Sequence, residues 1–182
     1  RPETMLGDSG VAVHPDDKRW KEAVGKSVTL PLMERLIRIV ADEYADPEMG
    51  SGAVKVTPSH DPNDYEVGER HGLEQIQVID FDGAMASAAG DFAGMERFAC
   101  RDAVIEALKK QGRLRKVEDH LHAVPHHDKC GTVIEPLPME QWFMKMEALA
   151  ERTAPLLESK EIVYYPDRFR RYGVEWLESI RD

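Results

Sequence analysis

Short apolar and β-branched runs, set between turns rich in polar residues, mark a series of strands in the first third of the chain. Gly10 to Val13 is the first, closed by the turn His14-Pro15-Asp16-Asp17. Ser27 to Leu32 and Glu34 to Ala41 are rich in β-branched residues, and the glycine-flanked run Ala53 to Thr57 follows the Asp46-Pro47 turn. The plainest helix start comes next: Asp61 in the N-cap position, Pro62 in the first helical slot, and Asp64 in the first turn, where the helix dipole favours a carboxylate. That helix is predicted to run to about His71, with Gly72 as its left-handed stop. A strand over Gln75 to Asp80, an Asp82-Gly83 turn and a loop over Ala84 to Gly94 lead to a second helix from Met95 to Gln111. Its expected inward stripe is Phe98, Ala99, Ile105 and Leu108, and Gly112 ends it. Thr132 to Glu135 reads as a short strand.

From Pro136 the character changes. Gln141 to Leu157 is helical in pattern, Ile162 to Tyr165 is strand-like, and Phe169 to Arg181 is helical again. No internal repeat is present. Several early strands cluster without intervening helices, which favours a mixed α/β fold whose sheet is mixed or partly closed like a barrel, over a doubly wound sheet. Neither GxGxxG nor a P-loop supports nucleotide binding.

Composition narrows this little. The 182 residues are 42% hydrophobic and 32% charged, enough for a core under a polar surface. No apolar run approaches the roughly 18 residues of a membrane span, so no membrane partner is expected. Two cysteines, Cys100 and Cys130, fit a reducing cytoplasm. The opening Arg1-Pro2-Glu3-Thr4 reads as a cut inside a longer polypeptide. A formal charge of −10 predicts weak binding to a polyanion by this piece alone. Lys109, Lys110, Arg113, Arg115 and Lys116, like Arg168, Arg170 and Arg171, form local basic runs that read first as solvated faces.

Most of the chemistry is concentrated between Gly50 and Tyr65. A strand carries Lys55 within an apolar run, a turn carries His60 and Asp61, and the helix start carries Asp64. Backbone N–H groups at such a junction are expected to point outward and hold an oxyanion or ester carbonyl. Each residue also has a structural explanation: Asp61 as a cap, Asp64 as dipole compensation, Lys55 as an edge-strand charge. A second constellation is His120, His122, His126, His127 and Cys130, whose spacing offers zinc ligands but lacks paired cysteines; a solvated loop is the expected reading. Trp142, Phe143, Met144 and Met146 resemble an apolar helix face made for packing.

The run from Arg1 to Asp8, together with GSGAVKVTPSHDPNDYEVGERHGL from Gly50, closely resembles the two signature segments of the inserted editing (proofreading) domain of valyl-tRNA synthetases. The run CGTVIEP from Cys130, QWFMKM from Gln141 and WLESIRD from Trp176 resemble the stretch in which that domain returns toward the synthetase core. The likeness covers almost the whole chain, in order. Isoleucyl and leucyl relatives share the plan but differ at the Pro-Glu-Thr start and the Val-Lys-Val-Thr-Pro strand.

The resemblance implies an editing-domain fold over residues 1–135 and an exit segment over 136–182 leading toward the catalytic core. It also implies hydrolysis of the ester in threonyl-tRNA(Val). An apolar pocket rejects an isostere bearing an extra hydroxyl only weakly, a limit for which the valine-charging enzyme is itself the standing example. The implied partners are the tRNA(Val) 3′ end carrying threonine and the rest of the synthetase. Arg1, Glu3 and Thr4 are implied to bind the terminal adenosine and aminoacyl group, with Lys55, His60, Asp61 and Asp64 also in the substrate site. Asp64 is assigned to the α-ammonium, Asp61 to the threonine hydroxyl or a water, and Lys55 to substrate contact or developing negative charge. No metal or covalent nucleophile is expected in the editing site; ATP and Mg belong to the parent enzyme's core. The family segment has two threonines just before Arg-Pro-Glu-Thr, so a piece beginning at Arg1 is expected to hold most of the pocket rather than all of it. The alternative from another class is a tRNA 3′-end docking module that is inactive when excised.

Overall fold

The computed structural model describes residues 1–118, 121 and 123–180. The chain divides into two compact units, Arg1–Pro138 and Met139–Asp182.

The first unit is built on four strands: β1 (Gly10–Val13), β2 (Ser27–Leu30), β3 (Arg35–Ala41) and β4 (Ala53–Val56). Their spatial order is β2-β3-β1-β4. β1 runs parallel to β3, pairing Gly10 with Arg38, and antiparallel to β4, pairing Gly10 with Val56. The sheet is therefore mixed, as the clustered strands foretold. It is also open: β2 and β4 are its two edges and do not meet, so the partial barrel closure also considered is absent among the described residues. One face of the sheet supplies Ala12, Val40 and Val56 to a core shared with Val67 of the helical segment and with Leu73 just beyond its end. That segment is α1 (Pro62–His71), ended by Gly72 in the left-handed conformation at φ 59° and ψ 43°.

Gly68 in α1 permits a very close approach. A Cβ there would lie 2.8 Å from Cγ and 2.9 Å from Cβ of Pro58, so the helix rests directly on the turn leaving β4. At the other end Asp42, just past β3, accepts a fork from Arg70 (3.1 and 3.0 Å) and lies 2.8 Å from His71 Nε2. It also takes the backbone N–H of Tyr44 at 2.9 Å.

A second core joins Leu6, Val78, Ile79, Met85, Cys100 and Val104. Leu6 lies in a 3-10 turn over Pro2–Gly7, and Cys100 and Val104 lie in α2 (Arg97–Lys110). The inward stripe of α2 is thus Cys100-Val104-Leu108, whereas Phe98 faces outward beneath the guanidinium groups of Arg97 and Arg101. Ion pairs from Arg97 to Glu135 and from Arg101 to Glu3 accompany this rotation, which hydrophobicity alone did not reveal. Gln75 to Asp80 forms no full strand. It bridges at Ile79–Met85 around the Asp82-Gly83 turn, and residues 87–92 form a 3-10 turn where a loop was expected. Thr132 to Glu135 contributes one bridge, His126–Val133.

In the second unit, α3 (Glu147–Glu158) packs against α4 (Arg170–Ser179). Residues 141–146 are not helical, and Trp142, Phe143 and Met144 are exposed. Ile162 to Tyr165 is not a strand; instead Tyr164 lies against Gly173, where a Cβ would fall 2.6 Å from its hydroxyl. The basic residues Arg170 and Arg171 pair with Asp167 and Glu175 on the surface.

Candidate functional site

Lys55 and Thr57 lie two residues apart along the line of β4, so their side chains emerge on one side. Lys55 Nζ donates to Thr57 Oγ1 at 2.7 Å and stands 3.5 Å from Asp8 Oδ1. The Thr57 hydroxyl in turn donates to Asp8. Asp8 is almost wholly buried, and burial pushes its pKa up to about 6 against the pull of Lys55 and the Thr57 hydrogen bond. Arg35 from β3 secures this corner by donating to the carbonyls of Leu6 and Asp8 at 2.8 and 2.9 Å.

The turn after β4 delivers the second group of side chains. Asp61 caps α1, its Oδ1 accepting from Asn63 N at 2.8 Å and Asp64 N at 3.3 Å. Pro62 has no N–H, and Tyr65 N donates to the Asp61 carbonyl. The first-turn donors are therefore engaged by Asp61, contrary to the expectation that they point outward to hold an oxyanion. Asp64 is 5% exposed, and its Oδ2 accepts the backbone N–H of Thr57 at 2.8 Å. Burial raises its pKa; the Thr57 N–H and Lys55 pull the other way, and Asp61 adds to the rise. Burial, reinforced by the charges of Asp64 and Asp61, pushes the Tyr44 phenol up to about 12.

The remaining expected residues face inward to differing degrees. Glu3 is fully buried, gripped by Arg101 through Nε at 2.9 Å and a second nitrogen at 2.8 Å, with Arg1 Nε at 3.3 Å. Burial works to raise the Glu3 pKa, but the Arg101 hydrogen bonds and the cationic neighbours bring it below the ordinary value. Arg1 reaches from Glu3 to Glu135 and keeps about a third of its side chain exposed. Thr4 is buried and donates its hydroxyl to the Arg1 carbonyl at 3.0 Å. His60 is 2% exposed, with Nε2 accepting the Val78 N–H at 2.9 Å. Burial, with Arg1 and Lys55 nearby, holds its pKa down to about 4, so its ring is neutral at physiological pH.

Lys55, Asp61 and Asp64 thus meet at one strand–helix junction, with Arg1 at its edge, while Glu3, Thr4 and His60 brace it from within. The sequence reading did not single out Asp8, Thr57 or Tyr44. Thr57 had a signal in its two-residue spacing from Lys55; Asp8 and Tyr44 arrive from distant segments. Asp8 and Asp64 lie about the Lys55 ammonium, a grouping in which a carboxylate can meet a substrate cation and Lys55 a carbonyl or oxyanion.

Of the histidine constellation, His120 and His122 lie outside the described residues. His126 Nδ1 lies 2.8 Å from the Val124 carbonyl, and Cys130 Sγ lies 3.3 Å from His127 Nδ1 and 3.2 Å from Thr132 Oγ1. Among the described residues no group of three or more His, Cys, Asp or Glu side chains is gathered as a metal site. No described helix is long and apolar enough to cross a membrane.

No family model matches the chain. It is 50% identical over 182 residues to the valine–tRNA ligase of Clostridium tetani, 52% identical over 183 residues to that of Geobacillus kaustophilus, and 50% identical over 183 residues to that of Bacillus subtilis. Each alignment takes in 100% of this chain and 21% of the relative, so the chain spans about a fifth of the length of the curated relatives it matches. A solved structure titled "The crystal structure of GlLeuRS-CP1" superposes with a TM-score of 0.51 at 16% identity, covering 66% of this chain and 82% of that one. That likeness concerns the fold.

Proposed function

We propose that this chain, a segment related over its whole length to valine–tRNA ligases and folded like a synthetase CP1 editing domain, hydrolyses the ester of threonine wrongly attached to tRNA(Val). One observation carries the reading: Asp64, buried and fixed by the Thr57 N–H, shares a junction with Asp61 and Lys55. A carboxylate fixed at a helix start is a preorganised counterion for the α-ammonium of an aminoacyl ester. Asp61 meets the threonine hydroxyl or orients the attacking water. Lys55, held by Thr57 and Asp8, opposes the negative charge that develops on the ester carbonyl oxygen. Water adds to the carbonyl carbon, the bond to the ribose oxygen breaks, and that oxygen leaves with a proton as the free tRNA 3′ end. Neither a metal nor a covalent nucleophile takes part. The rest of the ligase presents the tRNA, since a piece with a formal charge of −10 binds a polyanion poorly by itself.

The test is deacylation of threonyl-tRNA(Val) by the full-length ligase. Asp64→Ala abolishes cleavage and leaves valine activation intact; normal cleavage by that variant overturns the assignment. Cleavage lost on adding chelator would favour the histidine cluster instead. A docking module that is inactive when excised predicts no cleavage by residues 1–182 alone.

A further inference from the structure

Asp8 enters the junction from ahead of β1, and its backbone is fixed on three sides. Its N–H donates to the Met5 carbonyl at 3.0 Å, and its own carbonyl accepts Arg35 Nη2 from β3 at 2.9 Å. The N–H of the next residue, Ser9, donates to the Val56 carbonyl of β4 at 3.1 Å. Val56 lies between Lys55 and Thr57 in the chain, so this bond sets Asp8 beside the two side chains it meets.

The hydrogen-bonding inventory then decides where each proton points. A lysine ammonium only donates, so Thr57 Oγ1 is the acceptor in its 2.7 Å contact with Lys55 Nζ. A hydroxyl has a single proton to give, and Thr57 gives it to Asp8 Oδ1. The same oxygen stands 3.5 Å from Lys55 Nζ. Ammonium, hydroxyl and carboxylate thus form one directed chain. Its inner end, the Asp8 side chain, is 2% exposed, while the Lys55 side chain is 42% exposed. A cation that remains reachable from solvent is in this way anchored to the interior.

We propose that Asp8 is a positioning residue for Lys55: acting through the Thr57 hydroxyl, its carboxylate holds the ammonium where negative charge develops on the ester carbonyl oxygen. The inference rests on the editing function proposed above. A proton on Asp8 removes the counter-charge and weakens the acceptor, which relaxes the hold on Lys55. Burial outweighs the pull of Lys55 and the Thr57 hydroxyl and brings that step to about pH 6. The groups bearing on the Asp8 carboxylate are Lys55 and Thr57 from β4 and Asp64 from α1, while Arg35 from β3 meets its carbonyl.

The experiment measures threonyl-tRNA(Val) deacylation by the full-length ligase and its Asp8→Asn, Thr57→Val, Thr57→Ser and Asp64→Ala variants from about pH 5 to about pH 8. Asparagine has the shape of a protonated aspartate, so Asp8→Asn makes permanent the state that the parent reaches on acidification. Its kcat is expected roughly tenfold below the parent's at the alkaline end, the scale of a hydrogen bond to a charged group, with KM little changed. The gap closes as pH falls through about 6, because the parent then gains the proton itself. Titration of Asp64 lowers both rates alike and leaves their ratio untouched. Thr57→Val cuts the chain while keeping the backbone N–H on Asp64, and shows the same alkaline loss; Thr57→Ser retains the parent's rate. An Asp8→Asn enzyme with the parent's kcat, or with a loss that is equal at every pH, overturns the inference and leaves the editing reading standing. Equal rates for Thr57→Val and Thr57→Ser do the same, and decide the matter if Asp8→Asn fails to fold. An Asp64→Ala enzyme as active as the parent overturns both readings.

Discussion

Replacing Asp42 with Asn tests whether the tie between β3 and the end of α1 is electrostatic. Burial alone would raise the Asp42 pKa, but the Arg70 fork, the Tyr44 N–H and His71 outweigh it and bring the carboxyl to about 2, against an ordinary 3.8. A depressed folded-state pKa means stability that is fully present above the unfolded value and is lost as pH falls from there through the folded one. A difference of about 1.8 units corresponds to roughly 2.4 kcal/mol at pH 7, and the same linkage leaves roughly 1.3 kcal/mol at pH 3. Arg70 is about half exposed, so solvent screening scales both figures down, to roughly 1.5 and 0.8 kcal/mol. Urea unfolding is best followed in a Trp142→Phe/Trp176→Phe background. There the remaining indole, Trp20, reports on the first unit through its hydrogen bond to the Ser51 carbonyl. Asp42→Asn is expected to lower the unfolding free energy by the larger figure at pH 7 and by about half as much at pH 3. Equal losses at both pH values would mean that the cluster acts through packing rather than charge, and the reasoning would fail.

Two further predictions concern the residues bracing the junction. Arg101→Ala leaves Glu3 fully buried with only Arg1 beside it, and should cost about 3 kcal/mol, near the lower end for breaking a buried pair; a fall of less than about 1 kcal/mol in urea unfolding at pH 7 would contradict the pairing, and adding Glu3→Gln should recover part of the loss. His60 is held neutral down to about pH 4, so its contribution is intact above the usual value of 6.5 and is lost as pH falls between those values. His60→Gln, which keeps an acceptor for the Val78 N–H, should be less acid-sensitive than the parent by roughly 2 kcal/mol between pH 7 and 4.5. Parallel acid profiles for the two proteins would show that His60 does not titrate as its burial requires.

The local parts of the site could be read in the sequence because their causes are local. The Asp61 cap, Pro62 and the Gly72 stop are each set within a few residues, and α1 has the bounds they predict. The strands around it were legible for the same reason, through apolar and β-branched runs of four to seven residues between turns. What stayed hidden depends on pairing across the chain. Phe98 was expected to face inward because it is apolar; Cys100 and Val104 face the core instead, while the neighbouring Arg97 and Arg101 pair with Glu135 and Glu3 from distant parts of the chain. Asp8 and Tyr44 enter the site from segments with no catalytic spacing to Lys55 or Asp64, and only the sheet order brings them there. The fate of the first-turn N–H groups was equally unreadable, since whether a cap takes one donor or two is decided by a few degrees of side-chain rotation.

The contact between Gly68 and Pro58 bears on how the site comes and goes. A ten-residue helix with glycine in its interior does not persist by itself in water, where glycine alone costs about 1 kcal/mol relative to alanine. α1 is therefore ordered by what it leans on, and the two carboxylates it carries share that dependence. The Asp61 cap and the Thr57–Asp64 bond both lie beside the Gly68–Pro58 contact, so the placing of the two carboxylates rests on one local piece of packing at the turn after β4.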